Sequence, residues 1–452
     1  MTRIILYSML IISYYTSLFL DSRELTYFSG ILAVIALCYS FPKAQKIYKV
    51  MGIFFSLTGL FLYIGQGKSI LKLPEFTTST VTLLSVMFVL PFISSAVIVG
   101  RYDRNVNKLL KEKAANLGQL YTRTSVVSFL LGSFLNIATL PLVQSVAAKN
   151  LRDKSKDLKD KFISQSLLRG YAFSLSCSPI ELLIVLSVDI TSTSYISILP
   201  LLLLFVGVMF GINLLFARNY QTFELDTAAE TNQSPLTKRV VSKIVALIVY
   251  LILFISVIVT VNHFADLGFL EIVTIVIVPY SFLWALSIRR IKSFLLYSVP
   301  RWKANTISLS NFMALFLSVG FFLSVINDSF LIEYIHYPFE VLTSSPFLLF
   351  VFIQILFLGL AMVGFHPLVT ISILGGVLTP FLGTINPISI ALVLITSGLS
   401  TVMAGPFNIS VSLTGSLLAR NPYRISYWNL LFAFIFSSAG TLLATIVQVI
   451  RL

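Results

Sequence analysis

Residues 138–143 read Ala-Thr-Leu-Pro-Leu-Val, and residues 364–369 read Gly-Phe-His-Pro-Leu-Val. The prolines of these two stretches lie 226 residues apart. A second pair repeats the arrangement: 176–181 reads Ser-Cys-Ser-Pro-Ile-Glu, 403–408 reads Met-Ala-Gly-Pro-Phe-Asn, and their prolines lie 227 residues apart. Proline interrupts a helix because it lacks the backbone N–H. Paired breaks at matched spacing predict a chain of two structural repeats that meet at a midplane binding site, with breaks at Pro141, Pro179, Pro367 and Pro406.

The composition indicates an all-α polytopic membrane protein. Hydrophobic residues make up 57% of the 452 residues and charged residues 11%, whereas a soluble domain is about 25% charged. Apolar runs of about 20 residues, each long enough to cross a bilayer core of about 30 Å, recur throughout. The run after Arg3 has no small-residue cleavage site, and we interpret it as a retained first span.

The net charge of +14 does not indicate a nucleic-acid partner, because the basic residues fall in short connectors between apolar runs, as the positive-inside rule expects. The only cysteines, Cys38 and Cys177, lie inside apolar segments, which argues against a disulfide framework or a thiolate metal site. Signatures of nucleotide-binding or metal-dependent enzymes are missing from the sequence. We therefore expect neither a cofactor nor enzymatic activity.

The apolar runs predict eleven crossings. We expect a cytoplasmic N-terminus and an external C-terminus, because the cation-rich connectors then face the cytoplasm. The composition is compatible with a bacterial inner membrane. The candidate spans are 4–20, 26–41, 50–64, 80–99, 164–188, 196–217, 243–262, 270–288, 307–326, 388–418 and 427–449.

Two further apolar stretches are predicted to enter the membrane and return. The stretch 124–148 has strongly basic connectors on both sides, 101–123 and 149–169. A crossing there would place one of these connectors outside, against the positive-inside rule. The stretch 346–379 has cation-poor connectors on both sides. We expect re-entrant hairpins of opposite orientation; the alternative is that each stretch is one more span, or two short ones.

The predicted organisation follows from these assignments. Residues 1–25 form an N-terminal span, 26–217 the first inverted repeat, 218–242 a cytoplasmic linker and 243–449 the second inverted repeat. The first repeat contains the inner hairpin 124–148 and the broken span 164–188, and the second contains the outer hairpin 346–379 and the broken span 388–418.

The broken spans predict the chemistry of the site. We expect an unwound segment at 174–178 and a half-helix that starts near Pro179, because proline is favoured in the first helical turn. Half-helix N-termini carry partial positive charge and free N–H groups, which suit an anion. Unwound carbonyls can hold Na⁺. The alternative is that these small and hydroxyl residues only mediate helix packing.

Two titratable residues lie close to the breaks. Glu181 follows Pro179, and Asn408 is its counterpart in the second half. An intramembrane carboxylate is a functional candidate by default, so Glu181 is predicted to carry the coupling ion, whether Na⁺ or a proton. His366 adjoins Pro367 and could couple protons or contact an anion. Either residue could instead satisfy a neighbouring polar group.

The inner hairpin sequence 132–141, Gly-Ser-Phe-Leu-Asn-Ile-Ala-Thr-Leu-Pro, resembles the hairpin signature of the ion transporter superfamily. That superfamily includes divalent anion/sodium symporters, citrate transporters and arsenite exporters. Residues 176–179 look like the unwound helix that follows this hairpin. The likeness covers about 26–449; it departs from the pattern at Ile137 and at the Gly-Phe-His-Pro outer tip.

This resemblance implies an elevator-type transporter that works as a homodimer. It also implies that seven residues line the substrate site: Asn136, Thr139, Ser176, Ser178, Ser400, Thr401 and Asn408.

The sequence as a whole predicts a secondary active transporter, a symporter of a small carboxylate or oxyanion with Na⁺ or H⁺. One alternative is a lipid-linked glycan flippase or another polysaccharide-export membrane protein. Such a protein would place many charges in a central cavity, whereas these spans are nearly charge-free. A membrane enzyme or scaffold is a further alternative, and an enzyme should cluster acids, histidines or arginines at one membrane face.

Overall fold

The computed structural model describes residues 1–450 except 107–109, 111–113, 115, 152–153, 224–237, 266 and 330. The regular elements in this part of the chain are helices, which satisfy their backbone hydrogen bonds internally as a lipid environment requires. Eleven candidates among the described residues are long and apolar enough to cross a membrane. The all-α polytopic membrane class is thereby confirmed. Most of the predicted linker 218–242 lies outside the described residues.

The chain divides into two compact units. The first comprises Met1–Ala96, Leu267–Val341 and Ser372–Pro380. Inside it, the Tyr7 hydroxyl lies 2.6 Å from Ser40 Oγ and 3.0 Å from Ser310 Oγ, so three buried hydroxyls satisfy one another. Its helices are α1 (Thr2–Leu20), α2 (Arg23–Ser40), α3 (Lys46–Gly65), α4 (Val81–Val99, whose last residues belong to the second unit), α12 (Phe269–Ser287), α13 (Ile291–Ser308), α14 (Ser310–Ile326) and α15 (Leu331–Thr343).

The second unit comprises Val97–Asp266, Leu342–Ile371 and Phe381–Leu452 and contains most of the predicted site. The helix α17 begins in this unit and ends in the first. The helices are α5 (Tyr102–Val106), α6 (Leu117–Leu135), α7 (Thr139–Lys149), α8 (Lys156–Leu175), α9 (Leu182–Thr191), α10 (Tyr195–Arg218), α11 (Lys238–Phe264), α16 (Pro346–Val363), α17 (Pro367–Leu378), α18 (Pro387–Ala404), α19 (Ile409–Leu418) and α20 (Pro422–Ile450).

The helices α6 and α8 lie side by side and run in the same direction. Ser125 Oγ donates to the carbonyl of Ser166 at 3.1 Å, and Ser178 Oγ donates to the carbonyl of Ser133 at 3.1 Å. Both contacts move toward the C-terminal ends of the two helices together, so α6 and α8 are parallel. The helix α7 therefore returns toward the side from which α6 started, and Asn150 after it donates to the carbonyl of Leu110 at 2.9 Å. This is the course of the predicted inner hairpin.

The same course recurs at α16, α17 and α18. Contacts of α18 along α16 advance from Gly398 beside the Phe357 ring to Gly405 beside Ala361. The helices α16 and α18 are therefore parallel, so the chain that connects the end of α16 to the start of α18 must return to the side from which α16 started. The predicted outer hairpin has this arrangement.

The helices α8 and α18 run in opposite directions, as their contacts with α20 show. The helix α8 runs parallel to α20, because Gln165 donates to the carbonyl of Trp428 and Arg169 lies over Phe432. The helix α18 runs antiparallel to α20, because Asn386 contacts Gln448 while Thr396 contacts Gly440. Hence α8 and α18 are antiparallel.

Close approach of α6 and α8 depends on glycine. A Cβ on Gly170 would collide with the backbone of Ser125, and a Cβ on Gly132 would collide with Ser174. Two glycines facing a neighbouring helix let the backbones approach, as is common between membrane helices. This pairing fixes the hairpin against the first broken helix.

Ion pairs between side chains hold the start of α8 in place. Arg420 donates to Asp160 at 2.8 Å and to Asp157 at 2.7 Å, which joins α8 to the turn between α19 and α20. The hydrogen bond from Arg420 to Asp160 raises the pKa of this guanidinium. The arginine therefore stays charged at every physiological pH.

Several predicted spans have other bounds. The eleven apolar candidates include Leu117–Lys149 and Pro346–Val363, which the sequence assigned to hairpins. They omit the predicted span 164–188, because its helix starts at Lys156 and is charged there. The predicted span 307–326 is the second part of a pair bent by 53°, which begins at Ile291. The predicted connectors before α14 and α16 contain α13 and α15.

Candidate functional site

The first broken helix is interrupted by the six residues 176–181 between α8 and α9. Ser178 accepts a hydrogen bond at 3.1 Å from the backbone N–H of Glu181, which closes a turn with Pro179 at its second position. The predicted start of the half-helix near Pro179 is wrong by three residues, since α9 begins at Leu182. The fixed φ of proline suits this turn as well as a first helical turn, and here the turn forms.

The second broken helix repeats this geometry. Gly405 accepts a hydrogen bond at 2.9 Å from the N–H of Asn408, so Pro406 also occupies the second position of a turn. The helix α19 follows and has ten residues, as α9 does. Pro179 and Pro406 thus occupy the same position of a turn, two residues before Glu181 and Asn408, which precede the following half-helices.

The capping residues of the two half-helices differ in charge. Asn408 caps α19, and its Oδ1 accepts from the N–H of Ser410 at 3.2 Å and from Ser410 Oγ at 2.9 Å. Glu181 occupies the capping position of α9, is 8% exposed, and its carboxylate interacts with the backbone N–H of Leu183. The carboxylate of Glu181 therefore sits at a positive helix end with acceptor capacity left for a ligand.

The tip of the inner hairpin is tied to the first break. Asn136 has φ 48°, a conformation that asparagine tolerates better than most residues, and it ends α6. Its Oδ1 accepts from the Tyr171 hydroxyl at 2.6 Å. Ser178 of the first break bonds to Ser133, next to the same tip. The structure therefore brings together Asn136, Ser178 and the turn around Pro179. Pro141 is the third residue of α7, because the chain breaks at 136–138, just before it.

Among the described residues of this unit, four buried hydroxyls have no hydrogen-bond partner: Ser389, in the first turn of α18, and Thr139, Ser397 and Thr414. Thr139 begins α7 and Thr414 lies on α19, and these two helices pack against each other. Ser397 lies on α18, which packs against α9 and α19. A buried hydroxyl without a partner costs about 1–3 kcal/mol. These groups are therefore suited to a ligand.

Three other predicted lining residues have hydroxyls that donate to their own helix. Ser176 donates to Ala172, Ser400 to Ser397 and Thr401 to Gly398. All three side chains are buried. Their oxygens can still accept, so they suit a cation or a donor better than an anion.

His366 lies at the tip of the outer hairpin, after Gly364 with φ 113°. Its Nδ1 accepts from the N–H of Leu368 at 3.3 Å, at the start of α17, whose first residue is Pro367. An accepting Nδ1 carries no proton. His366 therefore caps a helix in this structure, as one interpretation of the sequence allowed.

Arg169 lies where the predicted basic connector 149–169 overlaps the predicted span 164–188, and the sequence pattern gave it no role. The structure places it inside α8 with 1% exposure. The guanidinium carbon lies 4.8 Å from the ring centre of Phe216 and 4.3 Å from that of Phe432. A signal was available in the sequence: if one helix starts near Lys156, Arg169 lies 13 residues further, about 20 Å along it and away from the charged end.

A transition-metal centre is not indicated in the described part of the chain, where no group of three His, Cys, Asp or Glu side chains could hold a metal ion. Na⁺ is different, because it binds carboxylate, hydroxyl and carbonyl oxygens. Glu181 and the unwound segments 176–181 and 405–408 offer all three.

No protein-family model matches the chain, and no curated protein matches it. Among solved structures, the chain is similar to the crystal structure of the YdaH transporter of Alcanivorax borkumensis, which is described as having an unusual topology. The TM-score is 0.58 at 13% identity, over 92% of this chain and 98% of that one. This likeness shows that the chain shares the fold of that protein.

Proposed function

We propose that the protein is a secondary active transporter that moves a small carboxylate or oxyanion together with Na⁺ or H⁺. One observation carries this proposal: two oppositely directed broken helices each restart at a buried turn, capped by Glu181 in one and Asn408 in the other. The free backbone N–H groups at the N-terminus of a helix favour anions. The fold of the YdaH transporter supports transport in general.

In this proposal the N-terminal ends of α9 and α19 bind different ligands. Glu181 takes the coupling cation, because a buried carboxylate with no cationic side chain beside it among the described residues favours a proton or a metal ion. The neutral start at Asn408, with the hydroxyls of Thr139 and Thr414, takes the anion. Ser176, Ser178, Ser400 and Thr401 complete the lining, and His366 holds the outer hairpin.

The proposal extends to membrane and assembly. The charge distribution supports the inner membrane of a bacterium, a cytoplasmic N-terminus and an external C-terminus. Opposed hairpins and broken helices support two inverted repeats and an elevator motion. A homodimer and kinship with the ion transporter superfamily rest on the resemblance of residues 132–141.

Uptake into proteoliposomes tests the proposal. Radiolabelled carboxylates and oxyanions are offered with a Na⁺ gradient, a proton gradient or neither, to the wild type, Glu181→Gln and the exposed control Glu333→Gln. We expect gradient-driven uptake of at least one anion, normal uptake in the control, and a loss of roughly tenfold or more in Glu181→Gln, the equivalent of about 1.4 kcal/mol. Uptake no higher than in empty liposomes under every gradient would refute transport of these anions. Normal coupling in Glu181→Gln would refute the role of this residue.

A further inference from the structure

Arg169 is a buried cation in α8 that the proposed transport mechanism does not use. Its side chain is 1% exposed, with the guanidinium 4.8 Å from the ring centre of Phe216 in α10 and 4.3 Å from that of Phe432 in α20. Aromatic rings on two neighbouring helices therefore cover this group.

Two of the three guanidinium nitrogens are unsatisfied, while the group also makes a hydrogen bond with the Tyr121 hydroxyl. Nε and Nη1 are both buried and have no hydrogen-bond partner. Within the part of the chain that the structure describes, the ion pairs join other residues, and none includes Arg169. The positive charge therefore has no carboxylate beside it among the described residues.

The neighbouring polar groups are neutral. The hydroxyls of Tyr121 and Tyr220 interact with the guanidinium charge, and these two rings stack at 5.3 Å. The Tyr220 hydroxyl donates to Gln165 at 2.7 Å, and the Tyr121 hydroxyl donates to Asn213 at 3.0 Å. This polar shell can orient a ligand, but it does not neutralise the arginine.

Contacts with aromatic rings alone do not compensate the free-energy cost of burying this cation. Removing an ion from water is costly even after relaxation, and each buried N–H without a partner adds to this cost. Cation–π contacts offset only part of it. An anion in the guanidinium plane would compensate the charge and accept a hydrogen bond from one of the unpartnered nitrogens.

We propose that Arg169 forms an anion-binding site, distinct from the helix breaks, that takes one carboxylate or a small oxyanion edge-on. The rings of Phe216 and Phe432 already contact the guanidinium, and its planar array of N–H donors matches the oxygens of a carboxylate. Ser176 lies two turns further along the same face of α8, about 10 Å away along the axis. The choice of a carboxylate as probe rests on the proposed function, whereas the binding itself does not require transport.

Equilibrium dialysis of the purified full-length protein tests this site. The probes are radiolabelled succinate and sulfate, and the proteins are the wild type, Arg169→Gln, Arg169→Lys and Arg218→Gln, an exposed arginine on α10. We expect Arg169→Gln to bind one anion fewer per chain than the wild type, and Arg218→Gln to bind the wild-type number. Arg169→Lys keeps the charge but lacks the planar edge, so its affinity should fall roughly tenfold. Equal site counts in the wild type and Arg169→Gln would overturn the proposal.

A second measurement covers the case in which Arg169→Gln does not fold. Cryo-EM maps of the wild type with and without saturating sulfate should differ by density at the edge of the Arg169 guanidinium. Identical maps at this position would overturn the site. Anion binding that depends on Arg169 in a protein that transports none of the tested anions would support the site while refuting the proposed function.

Discussion

Glu181 and Asn408 occupy the same position in two half-helices of equal length, yet only one of them can carry charge. The match between these residues follows from the sequence, because their prolines lie at corresponding places in the two halves. The start of α9 at Leu182 could not be derived, since a proline turn and a first helical turn fit the same residues. The site residues themselves stay predictions.

Arg169 shows where sequence reasoning stops at this scale. It follows a run of charged residues, so charge pattern alone assigns it to a connector. Its burial depends on Phe216 and Phe432, which are 47 and 263 residues away in the chain. Only the packing of α8 between α10 and α20 reveals it.

Thr139 provides a test that separates binding from folding. In Thr139→Val, a buried hydroxyl without a partner is replaced by a methyl group of similar size. We expect the free energy of unfolding to stay the same or to rise by up to about 1–3 kcal/mol. Uptake of the anion should weaken, with KM raised roughly tenfold.

The control for this variant is Thr124→Val in α6, where the hydroxyl donates to the carbonyl of Leu120 at 2.8 Å. This change should lower stability by about 1 kcal/mol and leave KM unchanged. A normal KM in Thr139→Val would exclude its hydroxyl from the site.

At the scale of elements, the paired course of α6 with α8 and of α16 with α18 is the feature that organises the second unit. The breaks were predictable, because proline and glycine leave a clear signature in an apolar run. The helices α13 and α15 were not, since short helices rich in charge or proline look like connectors.

Gly170→Ala tests the contact between α6 and α8. The new methyl group would collide with the backbone of Ser125, so we expect a loss of about 1–3 kcal/mol in the free energy of unfolding. In the control Gly207→Ala on α10 the methyl group meets no atom within 4 Å. That change should be neutral or stabilise the protein by up to about 1 kcal/mol, since alanine favours helix. Thermal unfolding in detergent measures both, and equal stabilities of the two variants would contradict the close contact.

For the whole molecule, composition was sufficient to establish the class, and loop charge predicted two re-entrant stretches. Loop charge could not supply the contacts that make α8 parallel to α6 and antiparallel to α18, because these contacts join distant segments of the chain.

Single cysteines in a background without Cys38 and Cys177 test this layout. Gln119→Cys and Lys156→Cys, at the starts of α6 and α8, should react with a membrane-impermeant maleimide from one side of the membrane. Phe347→Cys and Thr384→Cys, near the starts of α16 and α18, should react only from the other side. The sites are exposed in the structure. Labelling of Gln119→Cys and Lys156→Cys from opposite sides would rule out the inner hairpin.

The unequal caps of α9 and α19 have an electrical consequence. If the protein is the proposed carrier, its net charge changes whenever a cation neutralises Glu181, whereas Asn408 stays neutral. A membrane voltage acts on such a charge with about 2.3 kcal/mol per 100 mV if it crosses the whole field. The unloaded and cation-loaded carriers should therefore respond differently to the resting potential of the cell, and charging the membrane would favour one orientation over the other.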